Sequence, residues 1–199
     1  MPLPPLHSLA GYTIYRSIHK TRDDQSWKWA ALAVLLANLA DFDFLPGIFA
    51  RQIGRFHRGI THSIGMAIIV GLLIGWLARL WKKDSFGRAA LFSFGAYVSH
   101  IFLDFFSEAK SQIAILWPFS SARFDSPIYF GTIREDPLKL SGSLGEFLAS
   151  MWNPGFLRMV LDEAALVFMI WTAASLVSAI GTNLSQTRNL AKSVTVESP

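Results

Sequence analysis

The chain has 199 residues, of which 52% are hydrophobic and only 16% charged, and its mean hydropathy is +0.36. This composition is too apolar for an ordinary soluble domain and indicates a membrane protein. Because cysteine is absent, disulfides, thiolate metal sites and cysteine nucleophiles are excluded, and any metal must be held by His, Asp and Glu. The net charge of +4 comes from scattered Lys and Arg residues, which favours membrane-helix flanks and excludes nucleic acid as an expected partner.

The first predicted element is a short helix within the first twenty residues, with Ser8 as a candidate cap. At about twelve residues it would cover about 18 Å, which is less than a membrane crossing. We therefore expect this helix to be re-entrant or interfacial.

Four longer apolar segments follow, each able to cross a hydrocarbon core of about 30 Å. They are Trp27 to Leu45, Ile64 to Trp81, Arg88 to Phe106 and Phe156 to Ile180. Between the last two, residues 107–154 are rich in Pro, Gly and Ser and are predicted to form a long loop over one face. The predicted fold is an all-α integral membrane bundle with four transmembrane helices, a short amino-terminal helix and a long extracytoplasmic loop.

Basic residues give this bundle an orientation. Three groups of them fall on one side when the four helices alternate, and the positive-inside rule makes that side cytoplasmic. One domain is expected over residues 1–182, followed by a polar tail over residues 183–199. The three groups are Arg16, Lys20, Arg22 and Lys28; Arg79, Lys82, Lys83 and Arg88; and Arg188 and Lys192.

Ionisable side chains gather at the opposite end of the predicted bundle. Each costs about 3 kcal/mol or more at membrane depth unless it is paired, hydrated or bound to metal, so their convergence indicates a shared cation. His7 joins the group if the short helix begins at the same face. The others are Asp41 and Asp43 after the first spanning helix, His57 and His62 before the second, His100 and Asp104 at the end of the third, and Glu163 at the start of the fourth.

The pair His100 and Asp104 is the most informative part of this cluster. Four residues apart on a helix, both side chains project from one face and can bind one ion or two adjacent ions. The alternative is a polar pair that hydrogen-bonds helix to helix. Asp41 and Asp43 cannot share a face of a regular helix, but at a fraying helix end before Pro46 both can turn toward one site; the alternative is a polar helix terminus.

The string FHRGITHS supplies two histidines, His57 and His62. Gly59 breaks the backbone between them, and Thr61 or Ser63 can cap the helix that follows. The positive end of that helix dipole favours neutral imidazoles able to bind metal, although histidines in such a loop can also be solvated.

Mixed imidazole and carboxylate ligands suit Zn²⁺, Mn²⁺ or Fe²⁺, with Zn²⁺ the expected ion for hydrolysis. The number of ligands favours two ions over one. In the predicted chemistry a metal-activated water attacks, a carboxylate accepts its proton, and Arg58 steadies negative charge on a phosphoryl or acyl group. The predicted catalytic residues are Asp41, His57 and Arg58.

The strings NLADFDFLPG, FHRGITHS, SHIFLDFF and LWPFS, in that order, resemble the YdjM-like family of LexA-regulated inner-membrane proteins, described as membrane-bound metal-dependent hydrolases. The resemblance runs from His7 to Phe119 and implies a bacterial inner-membrane location. The family is distantly similar to the zinc-dependent phospholipase C and single-strand nuclease superfamily. Carried over by motif, the resemblance implies that the metal ligands are Asp43, His62, His100 and Asp104, with His7 and Asp41 as further ligands.

The predicted reaction is hydrolysis of an ester, foremost a phosphoester, in a lipid or lipid-linked substrate. A site at headgroup depth suits an amphiphile that enters from the bilayer. An alternative is a metal transporter or sensor, which predicts ionisable residues along the cytoplasmic halves of the helices, where the sequence has almost none. Another is a structural metal site, which predicts a closed coordination shell. The aromatic residues expected to wall the site are Phe102, Phe105, Phe106 and Trp117.

Overall fold

A computed structural model describes residues 3–18, 26–81, 85–107, 111–129, 144–169 and 172. The predicted all-helical fold is confirmed: within these ranges the β structure amounts to an isolated bridge between Ile113 and Phe124. Three short 3₁₀ helices cover Leu39–Asp43, Ile53–Arg55 and Ile60–His62. The α-helices are α1 (Pro4–Ile18), α2 (Ser26–Asn38), α3 (Phe44–Phe49), α4 (Ile64–Leu80), α5 (Phe86–Ser107), α6 (Leu144–Ser150) and α7 (residues 154–169).

Helix α5 lies at the centre, since it packs against α1, α2 and α4. Its buried residues recur every three or four positions, which is the pattern of one helix face turned toward neighbouring helices. Phe92 and Ala96 pack in one apolar cluster, and Tyr97 and Ile101 pack in a second cluster nearer the end of the helix. The same buried face then continues into polar residues, so the core of the bundle leads directly to the candidate site.

The sequence predicted that the helix beginning with α2 ends before Pro46, and this prediction is wrong. The helix backbone tightens into the 3₁₀ turn Leu39–Asp43 and then continues as α3, which contains Pro46. Proline is tolerated there because the N–H groups of a first helical turn have no partner within the helix. Asp41 and Asp43 therefore lie within a continuous helical stretch from Trp27 to Phe49 and not at a frayed end.

Two of the four predicted spans are long and apolar enough to cross a membrane, Trp27–Phe49 and Phe86–Ser107. Helix α4 is apolar but shorter, at 17 residues, because Ser63 caps its start and Trp81 its end. Most of residues 170–180 of the fourth predicted span lies outside the described residues, as does the tail over 183–199. In the described part of the chain, the prediction of four spans is thus reduced to two.

Helix α1 begins earlier than predicted. It starts at Pro4 and runs for 15 residues, because proline suits the first turn of a helix. Ser8 is consequently an interior residue of α1 and not its cap, and its hydroxyl accepts a hydrogen bond from Nδ2 of Asn38 at 3.0 Å.

The helix directions separate the ionisable cluster from four of the basic residues, while the cytoplasmic assignment of the basic end stays a prediction. The start of α1, the 3₁₀ turn after α2, the start of α4 and the end of α5 meet at one end of the bundle, as the contacts described below show. The basic residues Arg16, Lys28, Arg79 and Arg88 lie near the other ends of these four helices.

Close contact between α1 and α2 depends on a glycine. A Cβ atom at Gly11 would lie 2.5 Å from the carbonyl oxygen of Ala33 and 2.7 Å from Cβ of Ala37. We expect Gly11→Ala to force the helices apart and to lower the free energy of unfolding by about 1–3 kcal/mol, measured by thermal denaturation in detergent. Gly87→Ala is the matched control, since nothing lies within 4 Å of its added Cβ; equal losses in both variants would contradict this packing.

Candidate metal centre

His100 presents the Nε2 edge of its ring to the centre of the site. Its Nδ1–H donates to the carbonyl oxygen of Ala37 at 2.8 Å, and its ring stacks on that of His7 at 3.9 Å. A backbone hydrogen bond of this kind fixes the tautomer, so that Nε2 of the neutral ring carries the lone pair. Nε2 points toward the other ionisable residues.

His62 is oriented in the same manner from the opposite side. Its Nδ1 lies 3.1 Å from Oγ1 of Thr61, whose own proton goes to Oδ2 of Asp43 at 2.7 Å. Its Nε2 lies 3.1 Å from Nε2 of His100. In neutral rings two lone pairs would face each other here, an arrangement that requires a cation or a proton between them.

Two carboxylates complete the centre. Oδ2 of Asp104 lies 3.2 Å from Nε2 of His62, and Oδ1 lies 3.4 Å from Nε2 of His7. Oδ1 of Asp41 lies 3.4 Å from Nε2 of His100 and 3.6 Å from Nε2 of His62. The condition set for His7 is met, because α1 does begin at the same face and brings His7 into the cluster.

These separations fit metal coordination. Two donors bound to a tetrahedral Zn²⁺ at 2.0–2.1 Å are about 3.3 Å apart. Several donor atoms at the centre are also buried without a hydrogen-bond partner among the described residues, a condition that a bound cation relieves. These atoms are both ring nitrogens of His7, Oδ1 of Asp41 and both carboxylate oxygens of Asp104.

The potential ligands form two groups. One consists of Asp41, His57, His62 and Asp104, the other of His7, Asp41 and His100, and within each group one ligand atom per residue lies within 4.8 Å of the others. Asp41 belongs to both groups. A shared carboxylate suits the two-ion arrangement favoured by the sequence, in which the ions are about 3.5–4 Å apart.

Asp43 belongs to neither group of potential ligands. It contacts the Nδ1 atoms of two histidines that do belong to one, His57 and His62. Its Oδ1 accepts a hydrogen bond from Nδ1 of His57 at 3.0 Å, and its Oδ2 lies 3.3 Å from Nδ1 of His62. Carboxylates in this position orient metal-binding imidazoles and increase their basicity. The ligand role implied for Asp43 stays a prediction, and the geometry gives the carboxylate an orienting role.

His57, which the sequence marked for catalysis, lies among the potential ligands of the first group. Its ring stacks on that of Phe44 at 4.2 Å. Sequence spacing could not distinguish the two roles, because the loop from Gly54 to His62 contains two 3₁₀ turns whose path no periodicity predicts.

Arg58 connects the loops around the site. Its backbone has a φ of 60°, Nη1 donates to the carbonyl oxygen of Ser111 at 3.1 Å, and its own carbonyl oxygen accepts from Ala114 N at 3.3 Å. The catalytic role of Arg58 stays a prediction.

Residues 111–129 of the predicted loop pack against the face that carries the centre, whereas Leu144–Ser150 forms helix α6 and residues 130–143 lie outside the described residues. At the start of α4, the N–H of Ile64 donates to Ile115 O at 3.1 Å and that of Gly65 donates to Trp117 O at 3.2 Å. Ser63 caps the same helix as predicted, since its Oγ accepts from Met66 N at 3.1 Å. Trp117 is therefore close to the site. The other three predicted wall residues cluster together, with ring centroids of Phe102 and Phe105 4.7 and 5.1 Å from that of Phe106.

Two histidines outside the spanning helices respond differently to this environment. Burial lowers the pKa of His57, and the hydrogen bond with Asp43 offsets only part of that effect. Burial alone would also lower the pKa of His62, but close contacts with the carboxylates of Asp104, Asp41 and Asp43 outweigh burial and raise the pKa well above its usual value. The carboxylates thus stabilise a positive charge at His62, carried either by a proton or by a metal ion.

We expect metal and protons to compete for this position. Because the pKa of His62 is raised, the metal-free site retains a proton at neutral pH that metal must displace, so affinity rises with pH and falls as pH is lowered. Calorimetric titration with Zn²⁺ in buffers of different ionisation enthalpy should show proton release. Binding without proton release at neutral pH would contradict the assignment.

The comparisons with known proteins agree with a membrane location. A family model described as YdjM inner membrane protein matches residues 1–187. The inner membrane protein YbcI of Escherichia coli (strain K12) is 32% identical over 136 residues, which cover 63% of this chain and 78% of the relative. No solved structure matches the chain. The relation to phospholipase C stays a prediction.

Proposed function

The chain belongs to the YdjM inner membrane protein family, and we propose that it is a membrane-embedded, metal-dependent hydrolase that cleaves a phosphoester bond in a lipid or lipid-linked substrate. The observation that carries this proposal is a buried His and Asp centre whose donor atoms face one another and in which the side chain of Asp41 is partly exposed.

We infer that the centre opens to water or substrate at Asp41. The side chains of His7, His62, His100 and Asp104 have no exposed surface, whereas that of Asp41 is 15% exposed. A structural metal site is closed, while a catalytic site keeps a position for water or substrate. The accessible carboxylate in a buried ligand set therefore favours catalysis over a purely structural role.

A divalent cation in this centre would acidify a water molecule and polarise the scissile phosphoryl group. The residues of the chain supply the remaining functions. Asp43 accepts a hydrogen bond from Nδ1 of His57, which fixes the ring and leaves Nε2 as the atom that can bind the cation. The hydrogen bond of Thr61 holds Asp43 in turn.

Apolar residues around the opening support a lipid substrate. The segment that follows Asp41 and the loop that precedes His62 carry large hydrophobic side chains on the protein surface. Exposed apolar patches of this kind occur at membrane or ligand contacts. An amphiphile could thus rest its chains against them with its headgroup at the centre. The exposed residues are Phe42, Leu45, Ile48, Phe49, Phe56 and Ile60.

The proposal is tested by hydrolysis assays on purified protein in detergent, loaded with Zn²⁺, Mn²⁺ or Fe²⁺. A panel of phospholipids and undecaprenyl-type phosphates is compared with a water-soluble phosphate monoester. We expect turnover of a lipid substrate that a chelator abolishes and added metal restores. Tight metal binding without turnover of any substrate would instead favour a transporter, sensor or structural metal site.

We further propose that the centre faces the extracytoplasmic side. The absence of cysteine permits a direct test with single-cysteine variants. Phe49→Cys, at an exposed position near the centre, is expected to react with a membrane-impermeant maleimide added outside intact spheroplasts. Trp81→Cys, at the opposite end of the bundle, should react only after permeabilisation; the reverse pattern would contradict this orientation.

A further inference from the structure

The amino-terminal end of α1 is fastened to a distant part of the chain. Proline has no N–H, so Leu3 holds the only backbone donor among residues 2–5. That N–H donates to both carboxylate oxygens of Glu163 on α7, at 2.7 Å to Oε1 and 2.6 Å to Oε2. A carboxylate at this end of a helix is also favoured by the helix dipole.

Further backbone hydrogen bonds link Leu3 to His7. The carbonyl oxygen of Leu3 accepts from the N–H of Leu6 at 3.0 Å and from that of His7 at 3.5 Å. The residue held by Glu163 therefore forms the turn from which the imidazole of His7 projects. A displacement of Leu3 would be transmitted to the ring.

His7 differs from the other central histidines in how its ring is fixed. His100 is oriented by a backbone carbonyl and His62 by its contacts with Thr61 and Asp43. Neither ring nitrogen of His7 has a hydrogen-bond partner in the described part of the chain. Its position is set by stacking on His100, by the contact with Asp104 at 3.4 Å and by the placement of α1 itself.

Packing beside the hydrogen bond is incomplete. A cavity of about 410 Å³ lies between the two segments, lined by Leu3 and Pro5 on one side and by Val160, Ala164 and Val167 on the other. Because apolar contact is interrupted here, the bond from Leu3 to Glu163 is a direct link that holds the first turn of α1 against α7, while α2 and α5 hold the rest of the helix.

We infer that Glu163 is a positioning residue, which holds the first turn of α1 so that His7 can bind metal together with Asp41 and His100. This inference rests on the metal-dependent function proposed above. It assigns to Glu163 no contact with the ion.

The experiment is a titration of the full-length protein in detergent with Co²⁺, whose visible absorption reports on its ligands. Glu163→Ala and Glu163→Gln are made in the unmodified chain and in a His7→Ala background, with Asp162→Asn as the control on the same helix. We expect Glu163→Ala to weaken binding of one Co²⁺ ion by about 10-fold, in the range typical of residues that orient ligands. Glu163→Gln should retain more affinity, because its amide oxygen can still accept from Leu3.

The decisive comparison is between the two backgrounds. If Glu163 acts through His7, Glu163→Ala changes affinity less than about twofold once His7 is alanine. Equal losses in both backgrounds, or no loss in the unmodified chain, would overturn the inference while leaving the metal centre intact. Failure of the unmodified protein to bind Co²⁺ would overturn both the inference and the proposed function.

Discussion

Asp104→Asn is expected to release bound metal and to abolish hydrolysis while the helical bundle remains folded. The carboxylate contacts His7 and His62, and both of its oxygens are buried without a hydrogen-bond donor. Asparagine preserves the volume but removes the negative charge that offsets the cation. We expect metal affinity to fall by more than about 100-fold, beyond the range typical of residues that only orient ligands.

Ser93→Ala provides the matched control for that variant. Ser93 is buried on the same helix, its hydroxyl lacks a partner in the described ranges, and it lies apart from the ionisable cluster. Metal content measured by mass spectrometry and activity on the lipid substrate should both be retained. Full metal occupancy in Asp104→Asn, or an equal loss in Ser93→Ala, would contradict the ligand role of Asp104.

Asp41→Ala is expected to have the second large effect, because Asp41 alone belongs to both groups of potential ligands. If its carboxylate is shared by two ions, its removal should weaken both, whereas His7→Ala should weaken only one. Metal stoichiometry at equal free Zn²⁺ distinguishes these outcomes. The expected order is two ions in the unmodified protein, one in His7→Ala and fewer than one in Asp41→Ala.

Equal stoichiometry in the two variants would contradict a shared carboxylate. Hydrolysis should fall in both variants, with the larger loss in Asp41→Ala because the accessible side of the centre lies there. A normal rate in Asp41→Ala would show that the opening at this residue has no part in the reaction.

The convergence of ionisable residues could be predicted from the sequence because it depends on helix length and direction alone. Alternating apolar segments bring the ends of α2 and α5 and the start of α4 to one face, and a spacing of four places His100 and Asp104 on one side of a helix. Both features survive errors of several residues in the helix boundaries. The confirmed cap at Ser63 depends on an equally local signal.

The division of roles among ligands could not be predicted in this way. Asp41 and Asp43 are two positions apart in a 3₁₀ turn, which points them in different directions. Asp41 faces His100, and Asp43 faces His57 and Thr61. No hydrophobic periodicity signals a 3₁₀ turn inside an apolar helix. For this reason, Asp43 was predicted from the sequence to be a metal ligand and His57 to be a catalytic residue.

Contacts between distant parts of the chain also could not be predicted from the sequence. The hydrogen bond between Leu3 and Glu163 joins residues 160 positions apart, and the contact of Gly65 with Trp117 depends on a loop without regular structure. Such pairings are fixed by tertiary packing and not by local propensity. The local sequence indicated only that Glu163 lies near the start of an apolar segment. That position predicted that Glu163 lies at the end of the bundle that carries the ionisable cluster.

The most direct test of the metal centre is X-ray absorption spectroscopy at the zinc edge on purified protein reconstituted with Zn²⁺, compared with His100→Ala. We expect nitrogen and oxygen ligands at about 2.0–2.2 Å, with imidazole scattering that diminishes in the variant. A protein that retains no zinc after reconstitution, or a spectrum that His100→Ala leaves unchanged, would contradict the metal centre.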